Sequence, residues 1–152
     1  CWTSPLEKHH PWSRGFRKAF RQFGVAVPDV PAPWSYEETY PVASEEGSGQ
    51  RMAENFLALR RRPSGLVVIN DKIASVLAQT LLKQEVRVPQ DVSIVGHDNL
   101  PVSAHGTIRL TTVSYPADEI ASSVAALLPE RTTHTGKSRL LRVRGHLFER
   151  DS

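Results

Sequence analysis

Four consecutive apolar residues, Leu66-Val67-Val68-Ile69, stop at Asn70-Asp71, and a second run, Val92-Ser93-Ile94-Val95, stops at Gly96-His97-Asp98-Asn99. Between the two runs Ile73, Val76, Leu77 and Leu81, with the small Ala74 and Ala78, recur at helical spacing. Pro89 closes that connection. A strand, a helix and a strand in this order form a crossover unit, because parallel strands need a long connection and the helix supplies it. Runs without alternation are what strands in a covered parallel sheet show. Such a unit brings both polar strand ends to one edge of the sheet, where open parallel sheets hold their ligands. Asn70 or Asp71 suits the N-cap of the helix, accepting from free amides of its first turn.

The flanking segments extend this pattern. From Pro11, the residues Trp12, Phe16, Ala19, Phe20 and Phe23 recur on one helical face, and Gly24 stops the repeat. Pro28, Pro31 and Pro33 describe an extended connector from Val25 to Trp34, followed by a weak strand at Thr39 to Val42. Ser44 to Gly49 reads as a loop before a helix from Gln50 to Arg61, closed by Pro63 and Gly65. Leu100 to Arg109 reads as a loop, and Leu110 to Tyr115 as a strand. Pro116 opens a helix to Leu128 with Asp118 and Glu119 in its first turn, favourable charges at the positive end of a helix. After Pro129 come a Thr-rich linker and one or two closing strands from Arg139 onward. Strands alternating with helices predict an α/β fold, a three-layer sandwich with a mainly parallel sheet.

At 152 residues the chain has the size of one domain. No stretch approaches the roughly 18 apolar residues of a membrane helix, and no signal pattern opens the sequence. The default location is therefore the cytoplasm. The single cysteine, Cys1, excludes an internal disulfide, and a first residue other than Met leads us to expect a fragment. A net charge of +3, with its cations scattered along the chain, does not demand a nucleic-acid surface.

Several local patterns fail as catalytic or cofactor motifs. Thr135-Gly136-Lys137-Ser138 resembles the end of a phosphate-binding loop, but the required first glycine is Arg131. Gly47-Ser48-Gly49 lacks the third glycine of a dinucleotide fingerprint, since position 52 is Met, and reads as a flexible turn. The six histidines show no metal-ligand spacing, and no Gly-x-Ser-x-Gly elbow is present. His97 and Asp98 are neighbours at a strand end, so alternation predicts that they point to opposite sides of the sheet. The segment from Ile73 to Val95 is not a DNA-reading helix-turn-helix, because its second half contains Pro89 and ends in a β-branched run. No catalytic residue, cofactor or metal site is expected. Asn70 and Asp98 remain, with amide and carboxylate groups able to hold hydroxyls or, equally, to cap a helix and shape a turn.

The order of these segments resembles the effector-binding part of transcriptional regulators of the LacI/GalR type, which have a periplasmic-binding-protein-like fold. The matching residues are Arg14-Gly15-Phe16-Arg17 with Ala19, Ile69-Asn70-Asp71 with Ile73-Ala74, the run from Val86 to Asp98, Leu110-Thr111-Thr112-Val113 before Pro116, and His146 to Ser152. The resemblance implies an effector cleft between two lobes, with Asn70 and Asp98 bonding the ligand and His97 nearby. An Arg three residues before the Gly of the Gly-Phe pair in the family is Trp12 here, and Arg14 lies two residues further on. Trp12 is then a candidate to stack on a sugar face or to pack in the core, and Arg14 a candidate cation of the site.

Relative to the family, the lobe is incomplete. Residues 1–113 correspond to the C-terminal lobe without its opening strand, 114–137 to a crossover helix and linker belonging to the other lobe, and 138–152 to closing strands. The crossover helix would then expose Ile120, Val124, Leu127 and Leu128. The function implied is binding of a sugar-like or polyhydroxy effector by a homodimeric repressor, with DNA held through a headpiece this chain does not contain and no membrane partner. The alternatives are an exported solute receptor of a transporter and a truncated remnant without independent activity.

Overall fold

A computed structural model of the chain describes residues 11–24, 44–131 and 140–152. The elements, in chain order, are α1 (Pro11–Gln22), α2 (Glu45–Ala58), β1 (Gly65–Val67), α3 (Asp71–Lys83), β2 (Ser93–His97), α4 (Pro101–His105), β3 (Thr111–Ser114), α5 (Ala117–Arg131) and β4 (His146–Phe148). The expected connector at 25–34, the strand at 39–42 and the 135–138 motif lie outside the described residues.

The four strands lie in the order β1-β2-β3-β4, with the first three parallel and β4 antiparallel to β3. Register pairs Leu66 with Ile94 and Gly96 with Thr112, so these four residues share one face. Against it packs α3, with α2 and α4 packed on α3 in turn, and the core is Met52, Ala53 and Phe56 from α2, Ile73, Ala74, Leu77, Ala78 and Leu81 from α3, and Leu66, Val68, Val92, Ile94 and Leu110 from the sheet and its margins. The opposite face carries Val67, Val95, His97 and Val113, all half-buried, and the exposed Leu147. β4 is exposed along its length, and of the one or two closing strands expected from Arg139 onward the described residues hold one, a short edge strand.

Three expectations from the sequence are corrected by the structure. Gly47-Ser48-Gly49 is not a flexible turn in a loop: α2 begins at Glu45, with Ser44 as N-cap accepting from Gly47 N at 3.0 Å. Two glycines weaken a helix in isolation, but tertiary packing requires one of them. A Cβ on Gly49 would lie 2.6 Å from Val76 Cβ and 2.9 Å from Ile73 O, so glycine permits the close approach of α2 to α3. The expected loop at 100–109 contains α4, which starts at Pro101 as proline's fixed φ allows. The helix opened by Pro116 runs to Arg131 rather than ending before Pro129. Of the four residues expected to be exposed on it, Val124 and Leu128 are 51% and 63% exposed, whereas Ile120 and Leu127 are half-buried.

The turn into β2 is stapled by a two-pronged ion pair. Arg87 Nε donates to Asp91 Oδ2 at 2.9 Å and its Nη2 to Oδ1 at 2.6 Å, while the Arg87 backbone N–H donates to Oδ2 at 2.8 Å. The side-chain bond from Arg87, then the backbone bond, hold the Asp91 carboxyl at about 2, below its ordinary 3.8. A carboxyl lowered on folding stabilises the fold above its unfolded value and loses that contribution as pH falls through its folded value. Arg87→Ala should therefore flatten the loss of stability between about pH 4 and pH 2, read from urea midpoints across that range. Gly49→Ala should destabilise the chain by about 1–3 kcal/mol through overpacking at Val76, measurable by urea unfolding at neutral pH.

Candidate functional site

β1 and β2 end side by side, and the turns leaving the two strands form the candidate site. After β1 the chain turns into α3 with Asn70 as N-cap, its φ of −152° extended and its Oδ1 accepting from Ile73 N at 2.9 Å. Of the two capping candidates, Asn70 takes the role. This capping bond uses the Asn70 carbonyl and leaves its amino group, Nδ2, as a donor at the strand end.

Asp71 has a different task. It is completely buried at the first position of α3, where the positive end of the helix favours a carboxylate. Its Oδ1 accepts from Thr112 Oγ1 at 2.6 Å, on β3, and its Oδ2 accepts from Leu100 N at 2.7 Å, just ahead of α4. Thr112 Oγ1 in turn accepts from Asn99 N at 3.3 Å. Gly96 of β2 completes the enclosure, because any Cβ there would run into Asp71 Oδ1. One carboxylate thus ties together the ends of all three parallel strands.

Beyond β2 the chain makes a sharp corner, with Asp98 at φ 97° and Asn99 at φ 52°. Both lie in the left-handed region that residues with a Cβ rarely enter, although Asp and Asn tolerate it best. Asp98 N still donates to Val113 O at 2.8 Å, so the corner stays attached to β3. Its geometry overturns the expectation that His97 and Asp98 point apart. Strict alternation holds only while the backbone is extended, and the positive φ at Asp98 swings its carboxylate back to within 2.8 Å of His97 Nδ1. The His97 side chain is 13% exposed and that of Asp98 36%. The ring edge of Tyr115, just past β3, stands against His97 with centroids 4.6 Å apart.

Of the residues expected at the site, Asn70, His97 and Asp98 therefore lie at the C-terminal edge of the parallel strands. Arg14 is exposed on α1, and α1 is not among the elements that pack extensively on the sheet. The Trp12 side chain lies outside the described residues. Tyr115 and Arg150 join the site without any signal in the local sequence pattern, and Asn99, already part of the polar end of β2, is joined to it by Arg150. Arg150 Nη2 donates to Asn99 Oδ1 at 2.7 Å across 51 residues of sequence, and no local pattern announces a contact of that range. The described residues contain no cluster of three or more potential metal ligands.

A family model for the periplasmic binding protein-like domain matches residues 3–152. The chain belongs to this family. Among curated proteins, this periplasmic binding protein-like chain is 31% identical over its whole length to the ribose operon repressor of Escherichia coli, of which it covers 45%. Among solved structures it is similar to a LacI-type transcription regulator from Bifidobacterium animalis, with a TM-score of 0.72 and 26% identity over 92% of this chain and 48% of that one. A LacI family regulator from Lactobacillus casei with bound glucose shares the fold at a TM-score of 0.66 and 22% identity, covering 95% and 51% of the two chains. The periplasmic binding protein-like chain thus spans about half the length of the relatives it matches. These relatives are transcriptional regulators, which bears out the LacI-type resemblance carried by Val86 to Asp98.

Asp71→Asn should leave an amide N–H facing one of two donors, Thr112 Oγ1 or Leu100 N. The expected loss is about 2–4 kcal/mol of stability by urea unfolding, with little change in far-UV circular dichroism at 25 °C if the chain stays folded.

Proposed function

We propose that this chain is the effector-binding part of a LacI-type repressor and that it binds a sugar or related polyhydroxy metabolite at the ends of β1 and β2. The observation that carries the reading is the gathering of the Asn70 amide and the His97-Asp98 pair at one sheet edge, with the Asp98 carboxylate partly open to solvent. A carboxylate accepts from sugar hydroxyls, an amide amino group donates to them, and the His97 bond fixes the carboxylate's direction. The Tyr115 ring, 58% exposed, offers an apolar surface for the C–H face of a sugar. Support comes also from the relatives: one is a ribose operon repressor, and one solved regulator holds glucose.

The remaining parts of the reading rest on the family. Trp12, which stands where the family has Arg, and Arg14 are candidate ligand contacts on α1. α5 belongs to the opposite lobe, consistent with its exposed Val124 and Leu128, and residues 1–113 and 138–152 correspond to the C-terminal lobe of the family. The protein acts in the cytoplasm as a homodimer, binds DNA through a headpiece, and responds because the effector binds one lobe arrangement better than the other. Its role is binding rather than catalysis, in keeping with relatives that are regulators.

Titration calorimetry of the full chain with D-ribose, D-glucose and sucrose tests the site. Asp98→Ala should weaken the sugar that binds by at least about tenfold, the loss of a charged hydrogen bond, without altering the far-UV spectrum. Equal affinity in the variant, or heat from none of the sugars, would sink the assignment.

A further inference from the structure

We propose that Arg150 is a positioning residue of the effector site, holding the Asp98-Asn99 corner in its left-handed conformation from the far end of the chain. The functional meaning of this rests on the effector reading above, but the geometry does not. Two successive residues with a Cβ at φ 97° and 52° do not hold themselves in place, and something must over-determine them. Backbone amides supply part of the restraint: Asp98 N bonds Val113 O, Asn99 N bonds Thr112 Oγ1, and Leu100 N bonds Asp71 Oδ2. On the side-chain side, Asn99 Oδ1 accepts from Arg150 Nη2 at 2.7 Å.

Arg150 can serve as that restraint because its other arm is fixed. Its Nη1 donates to Ser103 Oγ at 3.0 Å and to Leu110 O at 2.7 Å, both on residues almost wholly buried. The backbone behind it is sewn to β3 and β2 in turn. Arg150 N donates to Thr111 Oγ1 at 3.0 Å, and Ser152 Oγ accepts from Thr111 N at 2.9 Å while donating to Ile94 O. A planar guanidinium reaches acceptors in two directions at once, which a lysine ammonium on a flexible stem does not reproduce. The last residues of the chain thus reach back to the corner that aims Asp98.

Hydrogen exchange resolved by mass spectrometry on the full chain tests this without a ligand. Arg150→Lys should speed exchange at Asp98 to Leu100 by about tenfold while Thr111 to Ser114 stay within about twofold. Adding Asn99→Gly to that variant should recover most of the protection, because glycine takes a φ of 52° without a Cβ penalty. Arg109→Ala, which breaks only the exposed Arg109–Asp151 pair in the same terminal segment, should leave the corner unchanged. Unchanged exchange at Asp98 to Leu100 in Arg150→Lys overturns the proposal, as does equal loosening of β3 that Asn99→Gly does not reverse. Titration with D-ribose, D-glucose and sucrose separates the two ideas. If the native chain binds any of these sugars, Arg150→Lys should weaken it about tenfold and the double variant should regain it; equal binding in Arg150→Lys overturns the positioning role. If none of the three binds while the exchange pattern holds, the effector reading falls and the positioning role stands.

Discussion

The buried carboxylate of Asp71 is the constraint on which the rest of this structure depends. A carboxylate without access to water is costly unless its acceptor capacity is filled, and here the filling groups come from three separate parts of the chain. Thr112 brings β3, Leu100 brings the start of α4, and the helix that Asp71 itself begins brings the positive field of its N-terminus. Gly96 is then required on β2 because Asp71 occupies the space a side chain would need. The strand ends are fixed relative to one another by polar bonds at the rim as well as by the apolar core beneath.

Under the proposed effector role, that rigidity has a use at the rim. A residue that is to grip a small polar molecule must be aimed before the ligand arrives, or ordering it subtracts from affinity. Asp98 is aimed by departing from strand geometry: the corner bends its carboxylate onto His97, and Asn99 beyond it is tied both to Thr112 and to Arg150. Asn70 is aimed by capping α3. A capping role and a binding role are therefore compatible for this residue, since the cap uses the carbonyl and leaves the amino group.

The two sides of the sheet differ in how they are occupied by the described elements. One face is covered by α3, with α2 and α4 packed on that helix around Phe56, Leu77 and Leu81, and the close approach at Gly49 makes the α2–α3 contact tight. Tyr115 after β3, Leu147 on β4, and Val124 and Leu128 on α5 keep much of their apolar surface exposed.

The sequence alone determined the crossover unit. Its apolar runs, its helical repeat and its polar strand ends are local patterns, and the register of β1 and β2 is set once Leu66 and Ile94 must face the same core. It likewise placed Asn70, His97 and Asp98 at one edge, because parallel strands joined by a helix end on the same side. Only the tertiary structure decided how those residues are used. Alternation set His97 and Asp98 apart, whereas the corner, held open by bonds from β3 and from Arg150, brings them together. The glycines at 47 and 49 suggested a loop by propensity, whereas packing on Val76 makes a helix there. In each case the deciding contact joins residues far apart in the chain. Local periodicity carries no trace of it, since the free energy that overrides propensity comes from burial and hydrogen bonding between distant segments.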